Sequence, residues 1–216
     1  MDIIVSGTLL LIALPVIVIA AAGSALSLRA FPLFTQQRVG RGGEEFLFLK
    51  VRTLPADTPA YVDKHQLDAN RIPAFCLLLR RLHLDELPQL ALVLLGRMSL
   101  VGPRPEMGCL HDELPTDFAR LRTSVRPGCT GLWQISEGCT GLIATTPEYD
   151  RFYLEQRTLR FDLWVLGRTA LKMSGLKGTI TLDDVPAWVR ADRSAADHVI
   201  DLAELETASV VEALSA

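Results

Sequence analysis

Residues 3–28 form an uncharged run that consists mostly of Leu, Ile, Val and Ala. As one α-helix this run would be roughly 39 Å long, which exceeds the ~30 Å hydrocarbon core of a bilayer. A cleaved signal peptide fits poorly, because only Asp2 and no basic residue precedes the run. The run therefore predicts a membrane-embedded helix, and a helix buried in a soluble core is the less favoured alternative.

Pro15 lies near the middle of this run and should kink the helix, because proline removes a backbone donor and clashes with the preceding turn. Two geometries follow. A straight, tilted helix would span the membrane, whereas a bent helix would return to its side of entry. The residues alone slightly favour the span. Arg29, Arg38 and Arg41 come next and predict that the following body lies in the cytoplasm.

The charge of the chain is unevenly distributed. The formal net charge is −3, yet residues 183–216 contain eight acids and only two arginines, so the rest of the chain is slightly basic. A basic body suits an anionic substrate or a membrane surface, and nucleic acid is not expected as a partner. We interpret 1–30 as the membrane helix, 31–182 as a compact domain and 183–216 as a tail that is either solvated or helical.

Hydrophobic periodicity predicts a mainly helical α+β fold with a small β-hairpin. Glu45–Thr53 alternates in strand fashion and follows a Gly/Arg-rich turn, which indicates the hairpin. An amphipathic pattern over Pro147–Met173 indicates one or two helices whose apolar face lies in the core or on the membrane surface. The remaining predicted helices are Ala74–Leu82, Asp85 to about Leu95, 112–123 and, in the tail, 194–214.

Two common kinds of site are disfavoured by the sequence. The four cysteines show neither a Cys-x-x-Cys pair nor a zinc-type histidine spacing, so we expect reduced thiols and no zinc centre. The Gly-rich turn over 36–43 lacks the Gly-Lys-Ser/Thr ending of a nucleotide-binding P-loop.

Asp85 and Glu86 are the strongest candidates for catalytic residues. They stand in a leucine-rich segment, where a charge is costly unless it is paired or used, and arginines flank them. At a helix start one carboxylate could attack a phosphate while the other binds a metal, and the free N–H groups there favour an anion. The alternative is that Asp85 only caps a helix and that Glu86 is solvated.

Basic side chains elsewhere in the sequence are candidate phosphate ligands. Arg104 stands between two prolines, which stiffen the backbone and suit bidentate recognition of a phosphate. Lys50 and Arg52 share one face of the predicted strand and could bind one polyanion, although a solvated strand face is the alternative. The other candidates are Arg80, which precedes the acid pair, and Arg126 and Gln134, which belong to a Gly-containing turn cluster.

These blocks, in this order, resemble the bacterial sugar transferase family of monotopic phosphoglycosyl transferases over residues 1–175. Besides the apolar run with its proline, the matching blocks are Gln37-Arg38-Val39-Gly40, Lys50-Val51-Arg52-Thr53, Arg80, Leu84-Asp85-Glu86-Leu87-Pro88-Gln89-Leu90, Met98–Pro105, Arg126-Pro127-Gly128, Gln134 and Tyr149-Asp150 through Asp162. The chain departs from the family pattern at Ala91-Leu92, at Arg97 and at Ser136-Glu137.

The resemblance implies a function and a membrane geometry. A UDP-sugar would give its sugar 1-phosphate to a polyprenol phosphate, with Asp85 as the nucleophile of a covalent intermediate, UMP as the leaving group and Glu86 as a ligand of Mg²⁺. The apolar run would be a re-entrant helix that enters one leaflet of the bacterial inner membrane, with the catalytic domain on the cytoplasmic face. Interfacial amphipathic helices would surround that domain.

An alternative from another class is a catalytically silent membrane adaptor that recruits partners through its basic face and acidic tail. A pure scaffold has no need to keep Asp85, Glu86, Lys50, Arg52 and Arg104 together, which disfavours this alternative. The tail is also a candidate surface for a homodimer.

Overall fold

The computed structural model describes residues 1–59 and 71–190. It begins with helix α1, Asp2–Leu28, which continues through Pro15 and ends at Arg29 in the left-handed region. Among the described residues, α1 is the one helix long and apolar enough to cross a membrane. Most of its large aliphatic side chains are exposed, although Val5 and Leu10 pack against the core of the body, and its buried positions are Ser6, Ala20 and Ser24. The predicted long apolar helix is therefore present, and its buried positions are small residues.

The predicted hairpin is confirmed. Strands β1, Leu33–Val39, and β2, Glu45–Val51, pair antiparallel around a turn at 40–44. Residues that face each other across the pair lie on the same side of the sheet. The register therefore places Phe34 with Lys50, and Arg38 with Phe46, on one face.

The segment that carries the acid pair differs from the prediction. Helix α2 covers Ala74–Arg81, as expected, and ends before His83, which is in the left-handed region. Asp85 then lies in a 3₁₀ turn, Leu84–Glu86, and helix α3 begins only at Gln89 and ends at Leu94. The predicted α-helix from Asp85 is wrong at its start, because Pro88 has no N–H to donate to the carbonyl of Leu84.

The remaining elements are short. A single helix over 112–123 is also wrong, because Pro115 stands between α4, Gly108–Asp112, and α5, Thr116–Thr123. Strands β3, Ser99–Val101, and β4, Gly128–Thr130, form a two-stranded parallel sheet. A short helix, α6, covers Leu132–Ile135. Of the one or two helices predicted over 147–173, two are present, α7, Glu148–Gln156, and α8, Leu159–Met173.

One main core joins the hairpin to α3, α5, α6, α7 and α8, and it includes Phe48, Met98, Phe118 and Phe161. A small second cluster of Ala20, Val51 and Leu79 joins α1 to β2 and α2.

Part of the predicted tail belongs to the folded body. Val185 and Val189 lie in the main core, so that core extends beyond the predicted boundary at residue 182. The tail helix predicted over 194–214, the proposed dimer surface and the polar loop over 60–70 lie outside the described residues.

The apolar face of α7 and α8 lies partly in the core, which was one of the two predicted settings, and is partly exposed. Tyr153, Phe161 and Val165 are buried in the core, whereas Leu159 and Leu163 are exposed. A core-facing side and an outward apolar side therefore coexist on this helix pair.

Candidate active site

Asp85 is buried, with only 5% of its surface exposed, at the centre of the 3₁₀ turn. The turn is closed by the N–H of Glu86, which donates to the carbonyl of His83 at 3.2 Å, and by the N–H of Leu87, which donates to Leu84 at 3.4 Å. Both carboxylates lie near the same cation, since the charge of Lys50 favours the ionised form of each.

The two carboxylates have opposite electrostatic settings. Burial and the neighbouring Glu86 charge raise the pKa of Asp85, although Lys50 and Arg80 act in the other direction. Burial also disfavours ionised Glu86, but the charges of Arg104 and Lys50 outweigh this effect and leave the pKa of Glu86 below its usual value. The surrounding charges therefore favour ionised Glu86, whereas burial opposes the ionisation of Asp85.

Arg104 lies beside Glu86, with Nη2 at 3.5 Å from Oε1. The Glu86 charge is the largest influence on Arg104 and raises its pKa. Because this separation exceeds that of a strong bidentate pair, both charged groups keep hydrogen-bonding capacity for a ligand.

Lys50 and Arg52 lie on one side of the hairpin, as predicted. Lys50 Nζ is 5.2 Å and Arg52 Cζ is 5.7 Å from the centroid of the Phe34 ring. Burial lowers the pKa of Lys50 to about 8, although Glu86 and Asp85 favour its charged form. The Arg52 guanidinium donates to the carbonyls of Phe31 and Leu33, which ties it to the start of β1.

Arg80 reaches the same region from α2. Its Nη1 donates to the hydroxyl of Thr53 at 3.2 Å, and its charge favours ionised Asp85. Four of the predicted basic residues, Lys50, Arg52, Arg80 and Arg104, thus line one cavity of about 480 Å³. Opposite walls come from the 106–114 segment, Trp133 and residues 141–144.

Arg126 and Gln134 do not line this cavity. Arg126 is exposed and lines a separate cavity beside the start of α1, together with Arg157 and Asp162. Both amide atoms of the Gln134 side chain are buried without a hydrogen-bond partner among the described residues. A role for these two residues in binding the substrate stays a prediction.

Arg38 is a cavity residue that was not singled out as a ligand from the sequence. Its Nη1 donates to the carbonyl of Pro105 at 3.0 Å, and its guanidinium lies 5.4 Å from the centroid of the Phe48 ring. Burial and the nearby Arg104 lower the pKa of Arg38 to about 10. The hairpin register could have identified it. Arg38 pairs with Phe46, and Phe46 lies on the same face of β2 as Lys50 because an even number of positions separates them.

The site offers few ligands to a metal ion. No group of three or more His, Cys, Asp or Glu side chains is placed to hold a metal within the part of the chain that the structure describes. Mg²⁺ is commonly bound by one or two carboxylates together with substrate phosphates and water. Glu86, whose ionised form Arg104 and Lys50 favour, fits that mode of binding.

Comparison with known proteins identifies the family of the chain. The model of the bacterial sugar transferase family matches residues 1–175. The chain is 37% identical over 182 residues to a UDP-glucose:undecaprenyl-phosphate glucose-1-phosphate transferase of Caulobacter vibrioides, covering 78% of this chain and 66% of that protein. It is 32% identical over 187 residues to the exopolysaccharide production protein ExoY of Rhizobium meliloti, covering 78% and 81%.

Another relative is much longer than this chain. A UDP-glucose:undecaprenyl-phosphate glucose-1-phosphate transferase of Xanthomonas campestris pv. campestris is 34% identical over 176 residues. The match covers 76% of this chain but only 36% of that protein, so the chain spans about a third of its length. The family match over residues 1–175 contains α1, the hairpin, the acid pair and Arg104. The chain belongs to the bacterial sugar transferase family.

Proposed function

We propose that this chain transfers a sugar 1-phosphate from a UDP-sugar to undecaprenyl phosphate. The observation that carries the proposal is an acid pair, buried Asp85 and half-buried Glu86, beside a cavity with cations from three parts of the fold, Lys50, Arg80 and Arg104. Such a cavity suits a diphosphate, and the names of several relatives specify undecaprenyl-phosphate sugar phosphotransferases.

In the first step, the Asp85 carboxylate attacks the phosphorus that carries the sugar. A bond forms between Asp85 and this phosphorus, the bond to the bridging oxygen breaks, and UMP leaves with the electron pair. Asp85 must be ionised to attack, and Lys50 and Arg80 favour that form against the burial that opposes it. The product is an acyl phosphate that holds the sugar 1-phosphate on the protein.

Charge neutralisation is the main catalytic demand of this step. Lys50 and Arg104 would contact the phosphate oxygens, because both flank the acid pair and line the cavity. Glu86 would hold Mg²⁺, which when bound would neutralise diphosphate charge as a Lewis acid. Glu86 also keeps Arg104 beside the acid pair through their contact at 3.5 Å.

In the second step, an oxygen of undecaprenyl phosphate attacks the same phosphorus and frees the Asp85 carboxylate. One phosphoanhydride is broken and one is formed, so no external source of energy is required. Two separate steps also suit two substrates of opposite solubility, since each can occupy the site in turn.

We further propose that α1 enters the membrane without crossing it. Contacts with the body occur along the whole helix, from Asp2, which accepts a hydrogen bond from Ser99 at 2.7 Å, to Ser24, which donates to the carbonyl of Arg52. Ala20 lies between these points and packs against Val51 and Leu79. A straight transmembrane helix would carry one end far from the body, so these contacts support a monotopic, re-entrant placement.

The outward side of α1 supports contact with lipid. Most of its exposed side chains are large and aliphatic, and Leu77 and Leu78 on the neighbouring α2, together with Leu82 just after it, are exposed as well. Apolar side chains outward and serines inward reverse the usual soluble pattern. We place this surface in the cytoplasmic leaflet of the bacterial inner membrane, with α2 and α8 at the interface.

The function can be tested with purified protein, Mg²⁺, undecaprenyl phosphate and a panel of UDP-sugars. We expect UMP release with at least one donor, at a rate that Asp85→Asn reduces at least about a thousandfold because the nucleophile is lost. Asn keeps the size of the side chain, and circular dichroism would confirm the fold of the variant. Near-normal UMP release by Asp85→Asn would contradict the mechanism.

The covalent step can be observed directly. Wild-type protein incubated with the active UDP-sugar, without acceptor, should gain the mass of one sugar phosphate, and peptide mapping should locate it on Asp85. Adding undecaprenyl phosphate should remove the modification. A folded protein that releases no UMP with any donor, yet still binds membranes, would instead favour the silent adaptor.

A further inference from the structure

The loop between β3 and α4, residues 102–107, carries Arg104 and is called the Arg104 loop below; other elements of the fold donate hydrogen bonds to it. Pro103 and Pro105 have no N–H, so the loop has few donors with which to bond itself. Its carbonyls accept hydrogen bonds from other elements instead. The four bonds are Gly128 N to Pro103 O at 2.9 Å, Arg122 Nη2 to Arg104 O at 2.6 Å, Arg38 Nη1 to Pro105 O at 3.0 Å and Val39 N to Glu106 O at 2.8 Å.

One of these donors is a buried, ion-paired guanidinium. Arg122 on α5 donates through Nε to Asp150 on α7 at 2.8 Å, and the two side chains are only 4% and 1% exposed. The second branch of the same guanidinium makes the bond to the Arg104 carbonyl. The planar fork therefore joins a buried carboxylate to the backbone of the phosphate-binding loop.

The need to hold α5 against α7 does not by itself explain the buried ion pair between Arg122 and Asp150. An exposed ion pair already joins α5 to α7, with Arg151 Nη2 at 2.6 Å from Asp117 Oδ2. A buried ion pair is also a poor source of stability, because apolar residues of similar volume often do as well. What the buried pair adds is the bond to the Arg104 backbone.

We propose that Arg122, oriented by Asp150, is a positioning residue for Arg104, and this inference rests on the proposed function. The flanking prolines fix the backbone on either side of Arg104, so the orientation of its peptide plane decides where the guanidinium points. The Arg122 bond sets that orientation, and the Arg104 guanidinium then lies within 3.5 Å of Glu86. Arg122 itself is not in the cavity lining and acts only through Arg104.

A double-mutant cycle distinguishes positioning from general stabilisation. We expect Arg122→Gln to lower kcat/KM for the UDP-sugar by about 10- to 100-fold, the cost of a displaced catalytic contact. In an Arg104→Gln background, Arg122→Gln should lower kcat/KM by less than about a further twofold, because the guanidinium that Arg122 positions is already absent. Arg122→Lys should rescue poorly, since a single ammonium cannot reproduce the fork.

Arg151→Gln is the matched control, because it removes an ion pair between the same two helices without touching the Arg104 loop. It should leave kcat/KM unchanged. A readout independent of turnover is the NMR signal of the Arg104 side-chain Nε–H, assigned by its loss in Arg104→Gln. This signal should shift or broaden in Arg122→Gln and stay in place in Arg151→Gln.

Two results would overturn the positioning role. One is a double variant whose loss of kcat/KM equals the product of the losses of Arg122→Gln and Arg104→Gln, and the other is an Arg104 NMR signal that does not change in Arg122→Gln. If Arg122→Gln does not fold, Asp150→Asn enters the same cycle, because it keeps the size of the carboxylate while releasing the guanidinium from its charge partner. An inactive wild-type protein would instead overturn the proposed function, and the NMR comparison would still decide whether Arg122 positions Arg104.

Discussion

Lys50 should set the alkaline limit of UMP release. Its side chain is half-buried beside the acid pair, and desolvation lowers its pKa from 10.5 to about 8. Only the protonated form can neutralise a phosphate, so activity that depends on Lys50 is present below pH 8 and lost above it. Because kcat/KM reports the pKa values of the free enzyme, it is the parameter to measure.

The magnitude follows from the titration of a single group. With a pKa of about 8, kcat/KM for the UDP-sugar should fall to roughly one tenth of its plateau at pH 9 and one hundredth at pH 10. Lys50→Arg should remove this decline between pH 7 and 10, because a guanidinium stays charged in that range, even if its plateau is lower.

Lys50→Met supplies the complementary test. Lys50 favours the ionised form of Asp85, so its removal should raise the pKa of Asp85 and move the acid limb of the profile to higher pH. The measurement is UMP release across pH 5–10 at constant ionic strength, with Arg151→Gln as the unaffected control. A flat wild-type profile from pH 7 to 10, or an alkaline limb that persists in Lys50→Arg, would refute the assigned role.

Three further outcomes are expected. Chelation of divalent cations should abolish UMP release until Mg²⁺ is restored, and Glu86→Gln should require more Mg²⁺ for half-maximal rate; a metal-independent rate would exclude Glu86 as a ligand. In denaturation experiments, Asp150→Ala should lower the free energy of unfolding by about 3–5 kcal/mol, since it leaves a buried guanidinium uncompensated. Arg151→Gln should change the same free energy by less than about 1 kcal/mol. Gly23→Leu should force α1 away from α2 and lower the free energy of unfolding by about 1–3 kcal/mol, because its Cβ would overlap the ring of Phe75. Faster proteolysis of the variant would show this destabilisation.

The sequence was informative where one residue pattern determines local structure. Alternation in β2 gave the hairpin, and the register of that hairpin accounts for the shared face of Lys50 and Arg52. The apolar run gave α1. Helix starts were less certain, because Pro88 and Pro115 remove or interrupt backbone bonds at positions where the periodicity alone continues.

Contacts between distant segments could not be read from the sequence. Arg122 and Asp150 are 28 positions apart, and Arg122 is 18 positions from the carbonyl that it binds. Each looks like an ordinary helix residue until α5 and α7 pack together. The same holds for Arg38, whose approach to Pro105 depends on how the hairpin meets the Arg104 loop.

The position of the Asp85 turn relates the proposed chemistry to the membrane. The turn packs against β2, which carries Lys50, and also against α1 and α2. The side toward β2 adjoins the cation-lined cavity, which suits a water-soluble diphosphate. The other side packs against α1 and α2, whose outward faces carry the exposed aliphatic side chains that we propose to contact lipid. A nucleophile between two such surfaces can receive the sugar phosphate from one and deliver it to the other without moving between compartments, which is the geometric requirement of a two-step transfer.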